Sequence, residues 1–347
     1  MTMIKIGVLC PSEIALRRFM PALKNSAKFE FSGIAFASPE EWFGAAVGRV
    51  GSAAIEKQQT QERTKAGVFC EQYGGTLYSS YSQFLSAPDV EAVYIPLPPG
   101  LHFRWASEAA KSGKHVFVEK PATTALDDTE SLIRTVQNNG LALHENYMFA
   151  FHAQLDAIEK IIASGELGEV RLYRISFGFP RRSAGDFRYN KALGGGALLD
   201  CGGYTIRYGT RLLGKSAEIV AAHSNFIPDF GVDLFGSATM VNEQGVTAQL
   251  AFGMDNDYKC ELEVWGSCGT LRTNRVLTAP AGFQPSLTIS KNGQIETREL
   301  PADDTFGKSL DYFACCMAEP QVRAGSYANI LRQAELVDQF QKLSEVR

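Results

Sequence analysis

The chain has 347 residues, 45% of them hydrophobic and 21% charged, with a formal net charge of −4. That is enough chain for two domains with separate cores, in an ordinary globular composition. The acidic balance, without a basic run interleaved with aromatics, speaks against nucleic acid as a partner. The lack of any apolar stretch of about eighteen residues speaks against a membrane span.

The N-terminus runs straight into Ile4–Leu9, which reads as a strand and not as a signal peptide. Phe29–Ala37, Val90–Leu97 and His115–Glu119 are further strands; Ser12–Ser26, Ser82–Ser86 and Gly100–Ser112 read as helices. This alternation implies a parallel sheet covered on both faces, an α/β domain over residues 1–123. The connection between Ala37 and Tyr78 is long; Glu40–Gly48 and Ser52–Tyr73 look helical there, broken by Gly48 and Gly51.

A second domain is expected over 124–347. It opens with a helix Asp127–Asn138, a strand Leu141–Asn146 and a helix His152–Gly165 closed by Gly165 and Gly168. Then Val170–Phe177, Gly236–Val241, Val246–Phe252 and Cys260–Trp265 alternate as long strands. Turns at 242–245 and 266–269 separate them. This is an α+β pattern with a large, mostly antiparallel open sheet, whose exposed face would be a natural dimer surface. Ala328–Val346 closes the chain as an amphipathic helix. Cys10, Cys70, Cys201, Cys260, Cys268, Cys315 and Cys316 match no zinc spacing, and no metal site is expected. They read as reduced thiols of a cytoplasmic protein.

After the first strand of a dinucleotide-binding domain, a G-x-G-x-x-G loop lets backbone approach the pyrophosphate. Here the loop reads Cys10-Pro11-Ser12-Glu13-Ile14-Ala15. Pro11 lacks an N–H, and Glu13 suits the helix dipole but repels a phosphate. Ser12 can cap the helix, and Arg17 and Arg18 can offset Glu13. Two readings stay open: an altered loop that still binds the cofactor, or a degraded site. Ser38, at the end of the second strand, leaves room for a 2′-phosphate and favours NADP over NAD, while Glu40 and Glu41 oppose it.

Two segments carry chemistry. Val116–Pro121 puts Lys120 at a strand end, and Gly194–Tyr204 puts Asp200 and Tyr204 one helical turn apart. Ketone reduction by hydride leaves an alkoxide that needs a proton donor. A tyrosine hydroxyl is a reluctant donor at neutral pH, and a nearby ammonium favours its phenolate. Lys120 and Tyr204 are therefore the candidate pair, with Asp200 orienting Lys120 or meeting a sugar hydroxyl. The 194–196 glycines allow close approach to a ligand. Arg188, Tyr189 and Arg207 are candidate partners for a nucleotide diphosphate.

These residues resemble the glucose–fructose oxidoreductase/inositol dehydrogenase (Gfo/Idh/MocA) family. The likeness rests on Pro96-Leu-Pro-Pro-Gly-Leu-His102, Glu119-Lys120-Pro121, Glu145-Asn146-Tyr-Met-Phe149, His152, Asp186-Phe-Arg188-Tyr189 and Leu193–Arg207. Val232-Asp233-Leu and Glu263–Gly269 continue it, and the pattern looks like the branch of NDP-sugar 3-ketoreductases. The resemblance implies a Rossmann domain followed by a sheet that mediates dimers or tetramers. It implies a nicotinamide near Glu119 and Lys120, and a cofactor cleft lined by Pro96, Leu97, His102 and Asn146. His152 would face the sugar nucleotide. The loop Cys10–Ala15 departs from the family pattern. The implied activity is NAD(P)-dependent reduction of a keto group on a sugar, most readily a nucleotide-linked one. A dehydrogenase of a free sugar, polyol or trans-diol, and a non-catalytic sugar-nucleotide binder, remain as alternatives.

Overall fold

The computed structural model describes residues 3–226 and 230–345. They form two compact units. The first holds the chain up to Thr123 together with Asp127–Asn146 and Phe306–Ile330; the second holds Thr124–Leu126, Tyr147–Thr305 and the chain from Leu331. The first unit is thus discontinuous: two later segments return to it.

The first unit is built on a six-stranded sheet: β1 (Ile4–Val8), β2 (Phe29–Ala35), β3 (Thr76–Tyr78), β4 (Ala92–Ile95), β5 (His115–Glu119) and β6 (Leu143–Asn146). The order is β3-β2-β1-β4-β5-β6 and every pairing is parallel. β4 is buried at all its positions, as a central strand covered on both faces must be. The flanking helix His102–Lys111 buries His102, Trp105, Ala106, Ala109 and Ala110, the spacing of one helical face. The order reverses between β1 and β4, so the ligand crevice of such a sheet opens at the carboxyl ends of those strands.

The second unit has an eight-stranded sheet: β7 (Val170–Gly178), β8 (Glu218–Phe226), β9 (Asp233–Val241), β10 (Thr247–Gly253), β11 (Lys259–Gly266), β12 (Thr270–Asn274), β13 (Ser286–Lys291) and β14 (Gln294–Glu299). The order is β14-β13-β12-β11-β7-β10-β9-β8; only the β7–β10 pair is parallel. One face carries Ile175, Leu250, Leu262, Val264 and Met240 into the core beneath the helices Ala153–Ala163 and Gly203–Leu213. The other face holds Glu263 between Arg174 (2.8 Å) and Arg272 (2.7 Å), and leaves Val220, Phe235 and Trp265 exposed.

Several expected elements shift. The helix expected at Glu40–Gly48 is a short helix Pro39–Phe43 followed by a 3₁₀ segment Gly44–Arg49. The first helix contains a π turn, Ala15–Phe19. The C-terminal helix begins at Pro320 and reaches Glu345; Val346 lies outside the described residues. A helix Thr305–Ala318 and the strands β3, β8, β12, β13 and β14 are additional.

Candidate active site

The candidate residues fall into two groups, one in each unit. In the first unit the chain leaves β1 through Leu9, Cys10 and Pro11. Ser12 then caps the following helix: its Oγ accepts from the Ala15 amide at 3.2 Å. Glu13 is exposed and ion-paired to Arg17 at 2.6 Å, and Ile14 is half-buried behind it. Burial pushes the Cys10 thiol up to about 12, so it stays neutral. The loop thus presents no uncompensated anion to a pyrophosphate, and only one of the first-turn amides is taken by Ser12. Donors at a helix N-terminus and a neutral, compact loop fit a dinucleotide despite the missing glycines.

Ser38, after β2, opens the helix Pro39–Phe43 with a capping box: Ser38 Oγ accepts from the Glu41 amide and Glu41 accepts from the Ser38 amide. The Glu41 carboxylate also accepts from the amides of Tyr81 (2.8 Å) and Ser82 (2.9 Å). The Ser38 hydroxyl donates to Glu40 at 2.9 Å. Glu41 is therefore a structural tie between loops, and Glu40 is the carboxylate beside Ser38.

Pro96 and Leu97 follow β4 and are buried. His102 is fully buried, so its ring lines no cleft. Its Nδ1 lies 2.7 Å from the Pro121 carbonyl oxygen and its Nε2 2.7 Å from that of Leu97. Burial pushes the imidazole down to about 4. The neutral ring has one N–H, so it serves one of the two carbonyls at a time. Either way it ties the segment after β4 to the segment after Lys120. Lys120 is half-buried, and the Lys120–Pro121 peptide is cis. Glu119 Oε1 accepts from the Tyr94 hydroxyl and from Asn146 Nδ2, both at 2.7 Å. Burial raises its pKa, and those two donors pull it back. Asn146 is buried rather than presented to a cleft, and accepts from Ser309 Oγ at 2.9 Å.

In the second unit the glycine run leads into a π turn, Leu198–Gly202, and then into the helix Gly203–Leu213. Tyr204 is buried in an aromatic cage. Tyr147 and Phe177 meet it edge-on, each at 5.2 Å between ring centroids, and Phe149 lies tilted at 5.6 Å. Gly203 permits this: a Cβ there would run into the Tyr147 hydroxyl. Asp200 Oδ2 accepts from Arg188 Nε at 2.6 Å, and Arg188 also reaches Asp186 Oδ1 at 3.2 Å. Arg188 is thus clamped between carboxylates, with its guanidinium 4.6 Å above the Phe187 ring. Tyr189 is buried; its hydroxyl accepts from the Arg182 amide at 2.8 Å and its ring stacks on Phe230 at 4.6 Å. The nearby concavity of about 410 Å³ is lined by Asp186, Phe187, Tyr189, Asn190, Lys191 and Phe230, among others. His152 is buried and caps the helix Ala153–Ala163 through Nδ1. Arg207 is half-buried in the helix of Tyr204. Sequence reasoning missed the roles of Tyr147, Phe149 and Phe177 around Tyr204. Tyr147 and Phe149 lie in a segment already singled out, but nothing in spacing says which ring faces which.

Parallel order β3-β2-β1-β4-β5-β6, with a strand-end lysine and a second sheet-bearing unit that holds a caged tyrosine, defines a two-part dinucleotide-dependent oxidoreductase. Comparison with known proteins makes the family definite. Residues 44–147 match the model described as "Oxidoreductase family, NAD-binding Rossmann fold", and residues 155–272 match the GFO/IDH/MocA C-terminal domain. The chain belongs to the Gfo/Idh/MocA family and is an NAD(P)-dependent oxidoreductase. It is 38% identical to the dTDP-3,4-didehydro-2,6-dideoxy-alpha-D-glucose 3-reductase of Actinomadura kijaniata, over 96% of this chain and 94% of that protein. It is 34% identical to the protein of the same name from Saccharopolyspora spinosa, over 96% of each. A crystal structure of the A. kijaniata 3-ketoreductase with NADP and TDP-benzene superposes with a TM-score of 0.89 at 36% identity, covering 99% of this chain and 98% of that one.

Proposed function

We propose that this chain reduces the 3-keto group of a deoxysugar carried on a nucleoside diphosphate, dTDP foremost, with NADPH as reductant. The observation that carries the reading is the seat of Tyr204: a caged phenol on the helix that follows the glycine run, in a chain similar along 96% of its length to sugar-nucleotide 3-reductases.

The bound nicotinamide supplies the hydride. The first-turn amides after Ser12, with Ser38, Pro96, Leu97 and the Glu119–Lys120 strand end, would hold the cofactor. Tyr204 gives its proton to the oxygen of the carbonyl being reduced, and the Lys120 ammonium favours the phenolate left behind. The cage lets the phenol move little, so its hydroxyl needs no reorganisation at the moment of transfer. Asp200 acts through Arg188, which it clamps. Lys191 borders the concavity at 184–193, which has the size and aromatic walls for the nucleoside. The exposed sheet face with Val220, Phe235 and Trp265 supports a homodimer or homotetramer. The seven free cysteines support a cytoplasmic enzyme.

A free-sugar dehydrogenase is the second reading; a D-xylose 1-dehydrogenase (NADP(+)) of Haloferax volcanii is 29% identical over 74% of this chain. The test is NADPH oxidation by the purified chain with dTDP-linked and UDP-linked 3-keto-deoxysugars, and NADP reduction with free aldoses. Turnover of the dTDP-linked ketone is expected; turnover of free aldoses alone overturns the proposal.

A further inference from the structure

Asp233 opens β9 and is only 9% exposed. Its Oδ2 accepts from the amide of Leu198 at 2.7 Å, and the Ala197 amide also bonds to the carboxylate. The other oxygen lies against Gly196, where φ is +122° and a Cβ would run into Oδ1. Gly196, Ala197 and Leu198 are therefore moulded on one carboxylate that comes from 35 residues further along the chain. These are the residues from which the π turn Leu198–Gly202 starts. That turn has no side-chain cap from its own N-cap residue, Ala197. The first amides of a helical segment have no partner within it, so a cap must come from elsewhere. Here the cap is Asp233.

We infer that Asp233 is a positioning residue for the reduction: it fixes where the segment Leu198–Leu213 begins, and through it the height and rotation of Tyr204. The inference rests on the reading of Tyr204 as proton donor. A carboxylate is an expensive cap in this setting. Burial pushes its pKa up to about 6, and only the amides of Leu198, Ala197 and Asp233 itself oppose that. The ionised group nearest in the same segment, Asp200, is already paired with Arg188. What ionised Asp233 offers beyond a neutral cap is two acceptor oxygens engaged at once: one on the Leu198 amide, one set against Gly196.

This has a signature that a purely structural cap lacks. A carboxylate with a raised folded pKa binds its proton more tightly in the folded state. Between the ordinary carboxylate range and about pH 6 it therefore makes the fold more stable as pH falls. Protonation also removes acceptor capacity from the start of the Tyr204 segment, so turnover falls over the same interval. Stability and turnover move in opposite directions.

The experiment uses the full chain with NADPH and a dTDP-linked 3-keto-deoxysugar. Asp233→Asn keeps size and loses one acceptor; Gly196→Ala keeps the carboxylate and pushes on it. For both, kcat is expected to fall about tenfold or more, as for a small misplacement of a reacting group, while the KM for NADPH stays within about twofold. The Leu198 amide should exchange faster with solvent in both. In Asp233→Asn the wild-type rise of Tm on acidification towards pH 5 should flatten. Folded Asp233→Asn or Gly196→Ala with wild-type kcat overturns the inference, whatever happens to Leu198 exchange. If Tyr204→Phe turns over like wild type, the proton-donor reading falls instead, and that result is separable because it leaves the exchange and Tm effects of Asp233→Asn in place.

Discussion

Lys120 and Tyr204, the two residues proposed to carry proton transfer, are held by opposite means. Around the strand end that carries Lys120, order comes from directional polar contacts: Tyr94 and Asn146 on Glu119, and His102 on the carbonyls of Leu97 and Pro121. Around Tyr204 it comes from the rings of Tyr147, Phe149 and Phe177. The difference fits the roles proposed for the two groups. The segment of the lysine is supported through the backbone on either side and through the residue before it. A phenol that gives up its proton, as proposed for Tyr204, changes charge during the reaction and must be aimed, so its ring is packed. The Lys120 end should therefore respond to changes in hydrogen bonding and pH, and the Tyr204 seat to changes in volume.

The largest effect is expected at the donor itself. Tyr204→Phe keeps the ring in its cage and deletes the hydroxyl; kcat should fall about 10²-fold or more while NADPH binding, followed by fluorescence titration, is unchanged. Lys120→Met should also lower kcat, less steeply, and move the basic limb of the pH–rate profile upwards, because the phenol loses the charge that favours its phenolate. Equal losses for both variants with no change in the profile would break the division of labour.

A volume change comes next. Phe177→Ala opens space on one wall of the cage; a buried aromatic deletion costs about 3–5 kcal/mol of stability. Denaturant unfolding reads that loss, and kcat should drop with it as Tyr204 gains freedom. Phe149→Leu, closer in volume, should cost less than about 1.5 kcal/mol and preserve most of the turnover. Should Phe177→Ala be destabilised yet turn over normally, the cage would be core packing alone.

The contrast also explains what could be read from the sequence. The polar end was legible because its residues lie at strand ends, where chain order and the parallel sheet bring loops together: Cys10–Ile14 after β1, Pro96 and Leu97 after β4, Lys120 after β5. Asp200, expected to orient Lys120 or meet a sugar hydroxyl, is bonded to Arg188, a contact that no helical spacing announces. The burial of His102, Asn146 and His152 was invisible for the same reason: a histidine or asparagine facing a ligand and one serving a carbonyl have the same sequence. Short or irregular strands escaped too. β3 has three residues, and the alternation of β8 is broken by a register shift between Ile219 and Ala221. The β13–β14 hairpin did carry a signal, Asn292-Gly293 between two runs, with both residues at positive φ, but β14 has almost no buried face to confirm it.

The smallest expected effect lies in the polar network behind Lys120. Ser309 donates its hydroxyl proton to Asn146 Oδ1 (2.9 Å), so it must accept from His144 Nε2, 2.8 Å away. That order fixes the Asn146 amide with Nδ2 towards Glu119. Burial already raises the Glu119 pKa, and the Asn146 donor is the first of the influences that lower it. Asn146→Leu removes that donor, so the Glu119 pKa rises further. At a given mildly acidic pH more Glu119 is then protonated, and the negative charge next to Lys120 is lost earlier as pH falls. A hydrogen bond to a charged group is stronger than one between neutral groups, so the acid limb of kcat should move to higher pH. The plateau at neutral pH should change little. Ser309→Ala acts one bond further away and should shift the limb in the same direction by less. If both profiles superpose on wild type while Phe177→Ala lowers turnover, the Lys120 end takes its order from the strand ends alone, and the polar network behind it serves only to satisfy buried groups.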